Sequence, residues 1–377
     1  MENKSLKNIT FLVSGLSKGG SERVISILSN LYSKQNITIN VISMRSIGCY
    51  YDFNDNVNIE YISSSNESYL TQNKSQSFIR LNPISIIKKL FKLTKIIKKS
   101  NTDIVVAFGE SSCLYAVSTK FFTRKPLAIA IRQNPRVLSP LLRFLMIIFY
   151  QFADLLILQT NYQKEWADKH FKNLRKAIIE NPIEITYSKN PYLENKKSID
   201  FLAVGNVKWE KNYSDLILAF NNIKKKIPNE AKLYCAGRYF TENDRIAITE
   251  LINKCELNDR VIMLGNVDDV NALYKKAKIY VMSSINEGLS NTLLEAMSNG
   301  IPCISSNWSG VSDIISNNKN GIIVPIKDID TLSEKMLELY NSKELRNQLS
   351  ENAYLKLKKD FELKIVAQKW LDNLNEI

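Results

Sequence analysis

A chain of 377 residues exceeds one ordinary hydrophobic core and predicts about two domains. With 45% hydrophobic and 24% charged residues it is a globular chain, not a disordered one. The net charge of +13 is uneven: the first 180 residues hold 25 of the 51 Lys and Arg but only 12 of the 38 Asp and Glu, and the remainder is balanced. The first half is therefore expected to meet an anionic surface or polymer.

The apolar run at 9–13 is too short for a secretion signal and predicts a first strand over 9–14. A glycine-containing loop follows, then a helix over 21–33, strands over 37–43 and 59–62, and a polar, mobile loop over 63–77. Apolar residues at 86, 87, 90, 93 and 97 with Lys88, Lys92, Lys95 and Lys99 predict an amphipathic helix over 83–99. Its lysine face serves equally as a solvated surface or as a contact to an anionic leaflet. Nucleic acid is not expected as a partner, because the cations lack an interleaved set of aromatic residues and no binding motif occurs. Strand 104–108, helix 112–121, strand 127–132, helix 140–149 and strand 155–159 complete the first series. Arg143, Gln151 and Asp154 interrupt the apolar stretch 138–158, which falls short of the ~20 residues of a membrane span and reads as a buried helix and strand with interfacial contact.

A polar linker is expected over 188–198. A second series follows, with strands over 199–205, 232–236, 261–264, 279–282, 302–305 and 321–324, and a last helix over 362–374. The rhythm predicts an α/β protein of two doubly wound, Rossmann-like domains, over 1–187 and 188–360, with a terminal segment 361–377. Ligands of such sheets lie outside the carboxyl ends of the strands. Cys49, Cys113, Cys235, Cys255 and Cys303 are odd in number and scattered, which reads as reduced thiols of a cytoplasmic protein. The lone His170 reads as a surface or helix-end residue.

Glu287 and Glu295 bracket a glycine turn and a helix start behind the strand 279–282. Ser290 or Asn291 is placed to cap that helix, and Gly300-Ile301-Pro302 ends it. Strand, loop and helix N-terminus form an anion site, and a carboxylate at each flank suits a ligand with a central diphosphate and hydroxyls at both ends. A sugar nucleotide has that form, although the spacing alone fits two unrelated acids equally. Gly19 and Gly20 open the helix at 21 and allow close approach of a phosphate or sugar, or form a plain turn. Asp328-Ile329-Asp330 reads as a helix start capped by Asp330 instead of a metal motif, so no metal is expected.

The whole string, Glu287-Gly288 through Glu295-Ala296-Met297 to Gly300-Ile301-Pro302 and the apolar strand beyond, resembles the Glu-x7-Glu signature of the retaining glycosyltransferases of family 4. That resemblance implies the GT-B fold, two domains facing across a cleft, with the last helix returning to the first. Gly19-Gly20-Ser21-Glu22-Arg23 is similar to the family's Gly-Gly-Ala-Glu-Arg loop, which faces the donor diphosphate and the acceptor. Lys211 stands at the offset of the family's diphosphate lysine after Gly205, but Asn206 replaces the usual Arg, leaving Lys208 or Arg238 to supply the second charge. The loop at Val267 corresponds to the one that meets the base. The amides of Gly288, Leu289, Ser290 and Asn291 face the diphosphate, Glu295 the ribose, and Glu287 the donor sugar or the developing oxocarbenium ion. Where relatives carry a His in the first domain, this chain has Arg132 or Asn134 in the neighbourhood, and Arg132 reads equally as an acceptor-phosphate ligand or a structural ion-pair partner.

The resemblance thus implies a metal- and cofactor-independent retaining transferase at the inner face of the cell membrane. It would move a hexose or N-acetylhexosamine, carried by a nucleotide sugar of the UDP type, to a lipid-linked or surface-polysaccharide acceptor. A UDP-sugar epimerase of similar double fold and a catalytically silent nucleotide-sugar-binding partner are the competing expectations.

Overall fold

The computed structural model describes residues 6–377 apart from 18, 47, 64–82, 186–188, 191 and 193–197. The expected loop from 64 onward and most of the linker over 188–198 lie outside the described residues. Contacts divide the chain into one unit of residues 1–182 with 366–377 and a second of residues 183–365.

The first unit is built on a parallel seven-stranded sheet in the order β3-β2-β1-β4-β5-β6-β7. Its strands are β1 (Asn8–Val13), β2 (Thr38–Ser43), β3 (Val57–Tyr61), β4 (Ile104–Phe108), β5 (Leu127–Ala130), β6 (Leu155–Leu158) and β7 (Arg175–Ile178). Central strands such as Ile-Val-Val-Ala-Phe and Leu-Leu-Ile-Leu are buried along their whole length, as a sheet covered on both faces requires. β7 escapes sequence reading because Arg175 and Lys176 open it. As an edge strand it tolerates them, and charges there discourage pairing with another chain. The expected strand 127–132 stops at Ala130, where the backbone releases Arg132 from the ladder.

Among the described residues the α-helices between these strands are α1 (Gly20–Ser33), α2 (Pro83–Lys99), α3 (Glu110–Thr123), α4 (Pro140–Tyr150) and α5 (Asn161–His170). In α2 only Leu93, Ile96 and Ile97 are buried, so the apolar set expected to dock does so at its C-terminal end alone, and Ile87 is exposed. His170 ends α5, its Nδ1 2.7 Å from the Trp166 carbonyl oxygen and its ring stacked on that indole.

The second unit holds a parallel six-stranded sheet in the order β10-β9-β8-β11-β12-β13. The strands are β8 (Ile199–Val204), β9 (Leu233–Ala236), β10 (Val261–Gly265), β11 (Ala277–Met282), β12 (Cys303–Ser306) and β13 (Ile322–Val324). Chain order reverses between β8 and β11, which pair in parallel register, so their carboxyl ends flank a topological switch point. The helices are α6 (Tyr213–Ile223), α7 (Glu242–Lys254), α8 (Val270–Lys276), α9 (Asn291–Ser298), α10 (Val311–Ile314), α11 (Ile329–Asn341) and α12 (Lys343–Asp360). α11 is capped by Asp328 and not by Asp330: Oδ1 of Asp328 accepts from the Thr331 amide at 3.0 Å, two residues earlier than expected.

The last helix, α13 (Leu363–Asn375), places its residues from Val366 onward in the first unit. There Trp370 stacks on Phe108 at 5.6 Å, and the Tyr32 hydroxyl donates to the Ala367 carbonyl at 2.8 Å. All five cysteines are unpaired, with Cys113, Cys235 and Cys303 buried. Among the described residues no helix is long and apolar enough to cross a membrane.

Candidate active site

A polar cluster of the second unit sits at the switch point. After β8 the chain passes Gly205 and Asn206 into a tight turn over Trp209–Lys211. After β11 it runs through Ser283 and Ser284 to Glu287. Two contacts stitch the segments: the Ser283 hydroxyl donates to the carbonyls of Lys211 and Asn212, both at 2.9 Å, and the Ile285 amide donates to the Glu210 carbonyl at 2.7 Å. The stitching brings the Lys211 ammonium onto Oε1 of Glu287, which also accepts from the Ser284 hydroxyl at 2.9 Å. Both side chains are mostly but not wholly covered, at 17% and 15% exposure, so an entering ligand has access to each.

Two positions here require glycine. Gly205 has a φ of +152°, which L side chains rarely adopt, while a Cβ there would merely touch the end of the Lys211 side chain at 3.4–3.6 Å. A Cβ on Gly237 would lie 2.0 Å from the Gly205 carbonyl oxygen, an impossible distance. Gly237 carries no motif that points to it from sequence; only the closeness of two strand ends reveals it. Tyr213 donates to the same Gly205 carbonyl at 2.7 Å, and burial pushes this phenol well up, so it stays a neutral donor.

Helix α9 begins beside the cluster. Ser290, not Asn291, is its cap, accepting from the Leu293 amide at 3.4 Å. Gly288 is half-buried, Leu289 and Ser290 are buried, and Asn291 opens the helix. One turn on, Glu295 accepts from the Tyr274 hydroxyl at 3.0 Å and is half-buried. Tyr280, held neutral by burial, donates within hydrogen-bond reach of Thr292 on the same helix, at 2.9 Å.

Asn206 is exposed at the position where a cation was sought. Of the two candidate replacements, Lys208 is paired with Glu210 at 3.5 Å. Arg238 is exposed, and its carbonyl accepts from the Val207 amide at 2.9 Å, so its backbone borders the Gly205–Val207 segment. Val267 follows β10 and is half-buried. The next helix, α8, starts at Val270 with Asp269 as its cap.

In the first unit the expected residues sit at the carboxyl edge of its sheet. Gly19 precedes α1 and Gly20 opens it. The Glu22 side chain folds back on this turn, since a Cβ at Gly19 would fall 2.3 Å from its Oε2. Burial raises the Glu22 carboxyl above its ordinary range, against its own backbone amide and the cations Arg45 and Arg132. Arg132 is buried, with 9% exposure; its Nη2 donates to Asn181 Oδ1 and its guanidinium lies 5.4 Å from the Phe108 ring centre. Its Nη1 has no hydrogen-bond partner. Burial pulls the group down to about 9, with Glu22 opposing, so it remains a cation at neutral pH. The string Gly19-Gly20-Ser21-Glu22-Arg23 contains Glu22 but assigns it no role of its own; the fold turns its side chain back onto the Gly-Gly turn.

A concavity of about 850 Å³ opens elsewhere on this unit, near Pro126, Ala153 and Leu174 at the amino ends of β5 to β7. Its Lys120 and Arg175 are already paired with Asp154 and Glu376, and it contains none of the expected site residues.

Residues 185–356 match the family of glycosyl transferases group 1. The whole chain is 27% identical over 379 residues to a Campylobacter jejuni α-1,4-N-acetyl-D-galactosaminyltransferase named for an undecaprenyl-diphosphate-linked GalNAc acceptor, covering 99% of each chain. It is 23% identical to the amylovoran biosynthesis glycosyltransferase AmsD of Erwinia amylovora, covering 97% of this chain and 99% of that one. Among solved structures, Anabaena HepE in complex with UDP superposes with a TM-score of 0.78 at 16% identity, covering 98% of this chain and all of that one. Two parallel sheets with interleaved helices and these likenesses make the chain a GT-B glycosyltransferase that is similar to those of family 4.

Proposed function

We propose that the protein transfers a hexose or N-acetylhexosamine from a UDP-linked nucleotide sugar to a lipid-linked acceptor of surface-polysaccharide synthesis, with retention of configuration. The observation that carries the reading is the Lys211–Glu287 pair beside the start of α9. A cation and a helix N-terminus converge there on the place where a nucleoside diphosphate would depart.

In this reading the amides of Gly288 to Asn291 and Lys211 receive the diphosphate, with Arg238 as the second cation in place of the absent arginine at 206. Gly205 and Val267 approach the nucleotide through backbone, and Glu295 holds the ribose. Glu287 faces the donor sugar. The bond from C1 to the phosphate oxygen breaks, a bond from C1 to the acceptor hydroxyl forms on the same face, and the hydroxyl proton passes to the departing phosphate. Lys211 and the α9 amides answer the developing charge, so no resident metal is required, and chelator is expected to leave the rate unchanged. The first unit supplies the acceptor side, with the turn at Gly19 and Gly20 and the buried Arg132 addressing anionic groups. Its excess of cations holds the protein to the anionic inner face of the membrane.

The named activity of the Campylobacter relative supports a lipid-diphosphate-linked acceptor, and the UDP in HepE supports the nucleotide. The test is a thermal-shift screen across UDP- and GDP-sugars, followed by transfer to an undecaprenyl-diphosphate-linked oligosaccharide. Stabilisation by UDP-sugars with glycosyl transfer is the expected outcome. Stabilisation by no nucleotide sugar would overturn the reading, and interconversion of a UDP-sugar without acceptor would establish the epimerase instead.

A further inference from the structure

We infer that the Glu22 carboxylate is an internal stand-in for a substrate phosphate: it fills the anion position at the start of α1, and a diphosphate of the lipid-linked acceptor binds there by displacing it. The inference rests on the reading above that such an acceptor is used. α1 leaves the carboxyl end of β1, beside the switch point of the first sheet between β1 and β4. Its N-cap, Gly19, has no side chain to cap the first turn, and the Arg23 amide makes the first helical bond, to the Gly19 carbonyl at 3.1 Å. The amides before it and the helix dipole favour an anion. Glu22, the third residue of the helix, answers them from within. Its carboxylate accepts from its own backbone amide, and its Oε2 lies where a side chain on Gly19 would stand.

A glutamate at this position commonly caps its own helix, but capping alone requires no cations around it. Here two cations act on Glu22, Arg45 from behind β2 and Arg132 from behind β5, strands that lie on opposite sides of the switch point. Among the described residues neither forms an ion pair with it. Arg132 is the sharper observation. Its Nη2 is bonded to Asn181, whereas its Nη1 is buried with no acceptor, and the charge acting on the guanidinium is Glu22. A buried orphan donor is costly unless a group from outside the chain completes it. A carboxylate held near two cations yet bonded to neither leaves room for a larger anion with oxygens on several sides. A phosphate carries more charge and brings acceptors to the Arg132 Nη1 and the α1 amides together.

The backbone around this position is fixed in advance. The Tyr51 hydroxyl donates to the Gly19 carbonyl at 2.9 Å, and the Tyr50 amide donates to the Leu16 carbonyl at 3.0 Å. Only the Glu22 side chain has to move. Protonation loosens its hold, and burial already favours the protonated form against the pull of its own amide, Arg45 and Arg132. Tyr51, which feels both Arg23 and Glu22, is kept a neutral phenol by burial, so Glu22 is the group at this turn that titrates in the acid range.

The test titrates the full chain with inorganic pyrophosphate, in the presence of UDP, and reads hydrogen–deuterium exchange of the amides over residues 20–24. Because exchange is read by segment and no transfer is needed, a protein that binds no UDP still gives the answer, and the two failures stay distinct. Glu22→Gln keeps the shape of the side chain and removes its charge. It is expected to bind pyrophosphate about 10-fold more tightly than wild type at about pH 7.5. Glu22→Ser, a second way to remove the charge, is expected to agree. At about pH 5 the ratio of variant to wild-type affinity should fall toward one, as Glu22 itself takes up a proton; the ratio cancels the titration of pyrophosphate. Arg45→Ala, at an exposed position, is expected to weaken binding by about 3-fold. Farnesyl diphosphate, a short lipid diphosphate, should protect the same amides, and UDP alone should not. Equal affinities of wild type and both Glu22 variants at the two pH values, or protection confined to residues 205–213, would overturn the inference. So would protection of residues 20–24 by UDP alone as strong as that by farnesyl diphosphate, which would give the position to the donor.

Discussion

Lys211 and Glu287 neutralise each other before any ligand arrives, and each is the other's chief charged neighbour. Removing the lysine alone leaves a mostly covered carboxylate, held by the Ser284 hydroxyl, facing an incoming diphosphate. Lys211→Ala is therefore expected to weaken donor binding more than the double variant Lys211→Ala with Glu287→Gln does, while both lose transfer by about 10²–10³-fold. Titration of UDP by calorimetry, with initial rates beside it, checks this; additive losses of affinity would contradict the pairing. Glu22 offers a pH signature. Because burial raises its carboxyl above the ordinary 4.5, the native state prefers the protonated form, and the unfolded state releases that proton first as pH rises. Its contribution to stability is present below 4.5 and declines as pH rises through the native value. Glu22→Gln should then gain stability relative to wild type as pH climbs from 4.5, measured as the difference in Tm across that range.

Among the elements, buried strands were plain in the sequence because a parallel sheet covered on both faces demands continuous apolar runs, as in Ile104–Phe108 and Leu155–Leu158. β7 was not, since an edge strand needs apolar residues on fewer positions. The site was legible in the same uneven way. Lys211, Glu287 and Glu295 lie in loops and helix starts whose local chemistry is written in consecutive residues. Gly237 and Glu22 owe their importance to neighbours far along the chain or to a side chain folding back, which no local pattern records. The helix α9 cap separates two kinds of damage. Ser290→Ala removes a cap worth about 1 kcal/mol and should lower Tm modestly. Gly237→Ala instead forces the ends of β8 and β9 apart, because the new methyl would strike the Gly205 carbonyl. It is expected to abolish UDP binding even where the second unit remains folded, as judged by circular dichroism.

At the level of the whole molecule, charge and chemistry are divided: the excess of +13 resides in the first 180 residues, whereas the Lys211–Glu287 cluster lies in the balanced remainder. Recruitment to an anionic surface should accordingly depend on salt, and grip on the donor much less. Raising ionic strength from about 0.01 M to 0.15 M shortens the screening length from about 30 Å to 8 Å. The rate of association with anionic vesicles should fall across that interval in stopped-flow measurements, while UDP affinity changes little. A parallel decline of both would place the cations of the first half in the donor site.

The Ser283 hydroxyl, bonded to the carbonyls of Lys211 and Asn212, and the Ile285 amide, bonded to the Glu210 carbonyl, tie two loops into one body. Their backbone amides should open to solvent together, as a single cooperative unit in hydrogen–deuterium exchange, not as two independent loops. Ser283→Ala would split that unit in two and speed exchange around residues 209–212. Lys211 would then be slack in its placement while its own side chain and its partner Glu287 are both still present.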